Sequence, residues 1–195
     1  MPHDSYNRFG GLCALLAGIG ALLYAVAFVV LQRQELYSCL LVANGLLGTA
    51  ALIALHERVK ATSAGFARLG MLLGVVGNVG ASVHGAFDLS TVVGAGAGSG
   101  ASADLANMAD PRGFLTFFVT GLALLILARQ ARAGGTLPAN LGLLGMATGL
   151  ALVWIYLARL LILDAKNPIL AVPVLVGGFI LVPVWYLWLG TELRR

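Results

Sequence analysis

Charge is what this sequence has least of. Lys, Arg, Asp and Glu make up 10% of its 195 residues, against about 25% in soluble domains. That deficit excludes a soluble globular fold. It also excludes the basic surface that nucleic-acid binding needs, because the net charge of +4 comes from Lys and Arg at the ends of apolar runs, where the positive-inside rule places them. No nucleic-acid partner is expected.

Cysteine is nearly as scarce. Cys13 and Cys39 fall near the starts of consecutive apolar runs, hence on opposite membrane faces of an antiparallel hairpin. A disulfide needs Cα atoms within about 7 Å, so no bridge is expected and both cysteines read as packing residues. The histidines are His3, His56 and His84, on different sides or at different depths, so no pair can ligate a haem. No His/Cys spacing suggests zinc. A phosphate-cradling glycine loop after a strand is missing, and so is a Gly-x-Ser-x-Gly elbow in a suitable context. No cofactor and no metal are expected.

What the chain does have is apolar length. Hydrophobic residues are 59% of the sequence, with 26 glycines and a mean hydropathy of +0.93. The pattern predicts an all-α bundle of six transmembrane helices in a single domain, with spans near residues 9–31, 37–55, 66–93, 113–128, 139–163 and 169–189. Each reaches or approaches the roughly 20 residues a bilayer requires. The first run contains Ala25-Val26-Ala27, which resembles a signal-peptide cleavage site, but apolar residues continue to Leu31 and a retained span is expected. Residues 94–110, rich in Gly, Ser and Asp, read as a flexible loop. Asp110 then caps the fourth span, with Pro111 in its first turn. Pro173 and Pro183 should kink or locally open the sixth. Trp185, Tyr186 and Trp188 look like an aromatic belt at its end.

Six spans put both termini on one side. That side and its connectors carry Arg8, Arg58, Lys60, Arg68, Arg129, Arg132, Arg194 and Arg195, whereas the other carries Arg33, Arg112, Arg159 and Lys166. The asymmetry predicts cytoplasmic termini and an external Gly/Ser/Asp loop.

The most informative stretch is Gly70, Gly74, Gly77, Ala81, His84, Asp88, one face of the third span at helical spacing. Small residues there permit close packing, and ionisable groups at membrane depth need a partner or water. Arg159 in span five, Arg112 at the start of span four, Tyr156 one turn before Arg159, and Asn44 and Asn78 in spans two and three fall near the same layer. Two readings follow. In one, His84, Asp88, Arg159, Tyr156, Asn44, Asn78 and Arg112 line an outward-facing polar pocket for a lipid-like or small amphipathic ligand. In the other, Asp88 and Arg159 form an ion pair that fixes helix packing, with His84 as a neighbour. Asn44 and Asn78 are more often interhelical glue than ligands. An intramembrane enzyme with Asp88 and His84 as acid and base is the alternative function. A structural or accessory subunit, a homo-oligomer or a small transporter are the others.

The odd spans also align: Gly10, Gly70 and Gly142 coincide, as do Ala17, Gly77 and Gly149, and Tyr24, His84 and Tyr156. Three pseudo-repeated helical hairpins are the corresponding hypothesis.

Several runs carry a resemblance: Ala54-Leu55-His56-Glu57-Arg58, Asp110-Pro111-Arg112-Gly113, Arg159 with Asp164-Ala165-Lys166-Asn167-Pro168, and Pro183-Val184-Trp185-Tyr186-Leu187-Trp188-Leu189-Gly190. The layout resembles uncharacterised six-span bacterial integral membrane proteins of the domain-of-unknown-function type. The resemblance implies a bacterial plasma membrane, and it implies no activity and no catalytic residues.

Overall fold

The computed structural model describes residues 2–96, 108–162, 164 and 166–195. Much of the predicted Gly/Ser/Asp loop lies outside the described residues. Among the described residues six helices are long and apolar enough to span a membrane: α1 (Ser5–Leu31), α2 (Gln34–Val59), α3 (Ala64–Gly96), α4 (Pro111–Ala133), α5 (Ala139–Leu161) and α6 (Pro168–Leu193). This is the architecture of a multi-pass membrane protein. Several helices outrun the apolar segments. α4 continues through Arg129 and Arg132, because charge ends an apolar run without ending backbone hydrogen bonding. It stops where Gly135 takes a φ of +61° and Thr136 N–H returns to the Ala131 carbonyl at 3.1 Å, a glycine C-terminal motif. α3 has 33 residues, about 50 Å at the helical rise, well beyond a hydrocarbon core of about 30 Å.

Each helix packs on its neighbours in sequence, and α6 closes the bundle against α1. Small residues make the closest seams. A Cβ on Gly121 would stand 2.7 Å from the Gly149 carbonyl, and one on Gly149 2.6 Å from that of Gly121, so α4 and α5 cross backbone to backbone. α1 and α6 cross in the same way at Gly11 and Gly190. In lipid, where apolar tails offer no hydrophobic drive between helices, such close approach supplies the dispersion contacts that hold a bundle.

The core lies toward the end carrying the termini. Leu52, Leu55, Leu127, Leu141, Leu189 and Trp185 are buried there. Trp185 is 1% exposed and Tyr186 6%, which corrects their assignment to an interfacial belt. The Trp185 indole fits over Gly145 of α5 and beside Ala128 of α4, and its ring meets Tyr186 edge-on at 4.8 Å. A buried aromatic fills the space the small residues leave. Trp188 donates to Glu192 Oε1 at 3.3 Å.

Pro183 does open α6. Residues Gly177–Leu181 just before it form a π-helical turn, as expected where proline withholds an N–H and its ring crowds the preceding turn. Thr148 Oγ1 of α5 lies 2.8 Å from the Leu144 carbonyl and 3.4 Å from that of Leu181, so a hydroxyl meets the loosened backbone.

The aligned glycines carry over in part. Gly10 packs on Ala54 of α2 and Gly70 on Leu127 of α4, each against the following helix, whereas Gly142 packs on Ala128 and Arg132 of the preceding one. The third hairpin departs from the pattern of the first two.

Candidate functional site

The small-residue stripe of α3 faces α4. Gly70 meets Ile126 and Leu127, Gly74 meets Ala123 and Leu52, and Gly77 meets Thr120 and the Leu115 carbonyl. Continuing the stripe brings His84 to the segment that leads into α4, and there it meets Asp110.

The chemistry of Asp110-Pro111-Arg112-Gly113 explains that segment. Pro111 starts a single 3-10 turn. Arg112 and Gly113 then both take left-handed conformations, with φ of +54° and +80°, and Gly113 suits such a position because it has no Cβ. The reversal folds Asp110 back over the start of the following helix. Its Oδ1 accepts from Leu115 N–H at 2.6 Å, and its Oδ2 from Thr116 N–H at 3.2 Å and Thr116 Oγ1 at 2.6 Å. Asp110 therefore caps the helix that follows the turn, holding the amides of Leu115 and Thr116 five and six residues on, where a carboxylate also complements the helix dipole. It is fully buried. Burial alone would raise its pKa. The His84 imidazole, the Thr116 hydroxyl and the two amides outweigh burial and hold the carboxyl below its ordinary value.

His84 stands between two carboxylates. Nδ1 is 3.4 Å from Asp110 Oδ2, and Nε2 is 3.6 Å from Asp88 Oδ2, one helical turn away. Neither approach has the alignment of a strong hydrogen bond. A neutral imidazole can donate to one of them, and an imidazolium to both. The two carboxylates lie on opposite edges of one ring, so they do not converge on a common point, and among the described residues no three His, Cys, Asp or Glu side chains form a metal site. The neighbouring backbone is tied down as well: Gln34 Nε2 of α2 donates to Thr91 Oγ1 at 3.2 Å and to the Asp88 carbonyl at 3.4 Å.

This arrangement replaces the expected Asp88–Arg159 ion pair. Among the described residues no carboxylate lies within 4 Å of Arg159. Asp88 and Asp110 face His84, Glu35 pairs with Arg33, Glu57 with Lys60, and Glu192 with Arg195. The Arg159 guanidinium instead lies 5.4 Å over the Phe117 ring, with a Cβ position on Gly113 3.4 Å from its Nη1. Tyr24, Asp110 and Arg112 are within reach of its charge. Arg112 turns away from solvent to cap α5, donating to the Arg159 carbonyl at 2.5 Å, a favourable place for a cation. Tyr156 completes an aromatic wall, its ring 5.5 Å from Phe114 and 5.3 Å from Phe118. The same stretch, Phe114–Val119, is π-helical, a distortion found frequently at functional sites.

The two amides belong elsewhere. The Asn44 side chain presses on Gly20 of α1. Asn78 donates to the Gly74 carbonyl at 2.8 Å and lies against Gly48 of α2 with the Tyr186 hydroxyl nearby. They sit in helix seams, apart from His84 and Arg159. The structure thus gathers His84, Asp88, Arg112, Arg159 and Tyr156 at one end of the bundle, leaves Asn44 and Asn78 out, and adds Asp110, Phe117 and Tyr24. Asp110 had a signal in sequence: a carboxylate before Pro-x-Gly, followed six residues on by a threonine. Tyr24 aligned with His84 and Tyr156 in the repeat. Nothing marked Phe117. No protein-family model, curated protein or solved structure matches the chain.

Proposed function

We propose that this chain is a binding protein of a bacterial plasma membrane, with both termini cytoplasmic, that holds the anionic head of a lipid-like or small amphipathic ligand at Arg159 on the outward side. The observation that carries this reading is Arg159 itself. A half-buried guanidinium at the end of a membrane helix has no ion-pair partner among the described residues, and Asp110, the carboxylate whose charge reaches it, faces His84 instead. A guanidinium binds carboxylate or phosphate through paired N–H donors. Phe117 supports the planar cation from one side, which is worth about 0.5–2 kcal/mol. Phe114, Phe118 and Tyr156 offer apolar surface to the rest of an amphiphile. The orientation rests on the eight Lys and Arg of the terminal side against four opposite, as the positive-inside rule reads them.

His84 held between Asp88 and Asp110 favours a second reading, an intramembrane enzyme in which Asp88 and His84 exchange a proton with substrate. Asp110 would then be a positioning residue, its oxygens already engaged by α4. The structural-subunit reading loses support, since the glycine stripe of α3 is occupied within the chain.

Native mass spectrometry in a mild detergent tests the binding reading, with wild type beside Arg159→Gln. A discrete anionic mass on wild type that is lost from the variant is the expected result. Equal occupancy of both, or bare protein in both, would overturn it.

A further inference from the structure

The end of the bundle that carries the termini has its own basic groove, far along the helices from Arg159. α1 and α6 touch there through glycine: a Cβ on Gly190 would stand 2.7 Å from the Gly11 carbonyl, and one on Gly11 2.5 Å from Arg194 Cγ. The Arg194 stem therefore lies flat across the bare backbone of α1. Beyond the crossing is a cavity of about 430 Å³ lined by Arg8, Phe9, Leu12 and Arg194. Phe9 is 53% exposed and Leu12 46%, so its apolar wall is open to the surroundings of the bundle. Its two cations come from different helices, and neither has an ion-pair partner among the described residues. The adjacent basic side chains are committed: Arg195 pairs with Glu192 at 2.8 Å, and Arg58 donates to the Leu193 carbonyl at 3.1 Å.

We propose that this groove is a site for one anionic phospholipid, distinct from the Arg159 site. The phosphodiester lies between the Arg8 and Arg194 guanidiniums, and an acyl chain runs down α1 over Phe9 and Leu12. Charge complementarity selects the occupant. Two guanidiniums with no ion-pair partner among the described residues, at the edge of an apolar wall, match an anionic head on a hydrocarbon tail, whereas a zwitterionic head brings a repelling ammonium. A lipid held there bridges α1 to the last turn of α6, the seam that closes the bundle.

The test is native mass spectrometry of the full chain in mild detergent, titrated with phosphatidylglycerol or with phosphatidylcholine of the same acyl chains. Wild type should retain one phosphatidylglycerol in preference to phosphatidylcholine. Arg8→Gln/Arg194→Gln should lose that retention by about thirtyfold, the effect expected of two interfacial arginines, and Arg8→Lys/Arg194→Lys should keep most of it. Both residues are exposed, so the variants should fold, which unchanged lipid-free thermal unfolding would verify. Unchanged phosphatidylglycerol retention in the glutamine variant, or equal retention of the two lipids by wild type, would overturn the proposal. Arg159→Gln should leave this binding intact, so the two sites fail or succeed separately.

Discussion

Asp110 Oδ2 lies 3.4 Å from His84 Nδ1, and the same carboxylate holds the first free amides of α4. One buried acid thereby joins the stripe of α3 to the start of α4. Losing it should cost twice, once in the cap and once in the imidazole contact.

Asp110→Asn should destabilise the protein by about 2–3 kcal/mol, the range for hydrogen bonds to a charged group left unmade when buried. An asparagine can present only one acceptor oxygen, so its amide nitrogen opposes either Leu115 N–H or the Thr116 donors. Reversible unfolding in mixed micelles would measure the loss, and a change below about 0.5 kcal/mol would contradict the cap.

Acid should reveal the same group. The Asp110 pKa is lower in the folded protein than its ordinary value of 3.8, so the unfolded chain binds its proton first as pH falls. Its contribution is complete above pH 3.8 and disappears as pH drops through the lower folded value. Unfolding measured from neutral pH downward should show wild type losing stability in that acid window and Asp110→Asn losing less. Parallel curves would place the acid sensitivity elsewhere.

Double-mutant cycles should separate the observed contacts from the expected one. His84→Gln with Asp110→Asn should couple by about 0.5–3 kcal/mol, as residues in contact do, whereas Asp88→Asn with Arg159→Gln should be additive within about 0.5 kcal/mol. Strong coupling in the second cycle would restore the Asp88–Arg159 pair.

Glycine substitutions should divide sharply by location. Gly149→Ala drives a methyl into the Gly121 carbonyl and should cost about 1–3 kcal/mol by overpacking. Gly65→Ala meets nothing within 4 Å and should be neutral or stabilising by up to about 1 kcal/mol. Thermal unfolding of the two variants side by side would check the contrast.

The spans and the facing of the α3 stripe were legible because both are periodic: hydropathy repeats along a helix, and Gly70, Gly74 and Gly77 share a face wherever the partner sits. Partner identity was not legible. Asp88 and Arg159 carry opposite charge at one level, and sequence alone cannot tell that the Arg112–Gly113 reversal delivers Asp110 to His84 first. The aromatic belt failed for a related reason. Trp-Tyr-x-Trp near a span end matches an interfacial anchor, but Gly145 and Ala128 on other helices leave a hollow that only an indole fills. Such hollows are set by helix rotation, which a single sequence does not record.

The burial of Trp185 gives the molecule an internal optical reporter. Trp154 is 52% exposed to the surroundings, and Trp188 sits beside a carboxylate near the chain end. Brominated lipid should therefore extinguish the Trp154 emission first, while Trp185, sealed among α4, α5 and α6, stays bright and blue. Its dimming would mark the moment those three helices part, with no label attached to the chain.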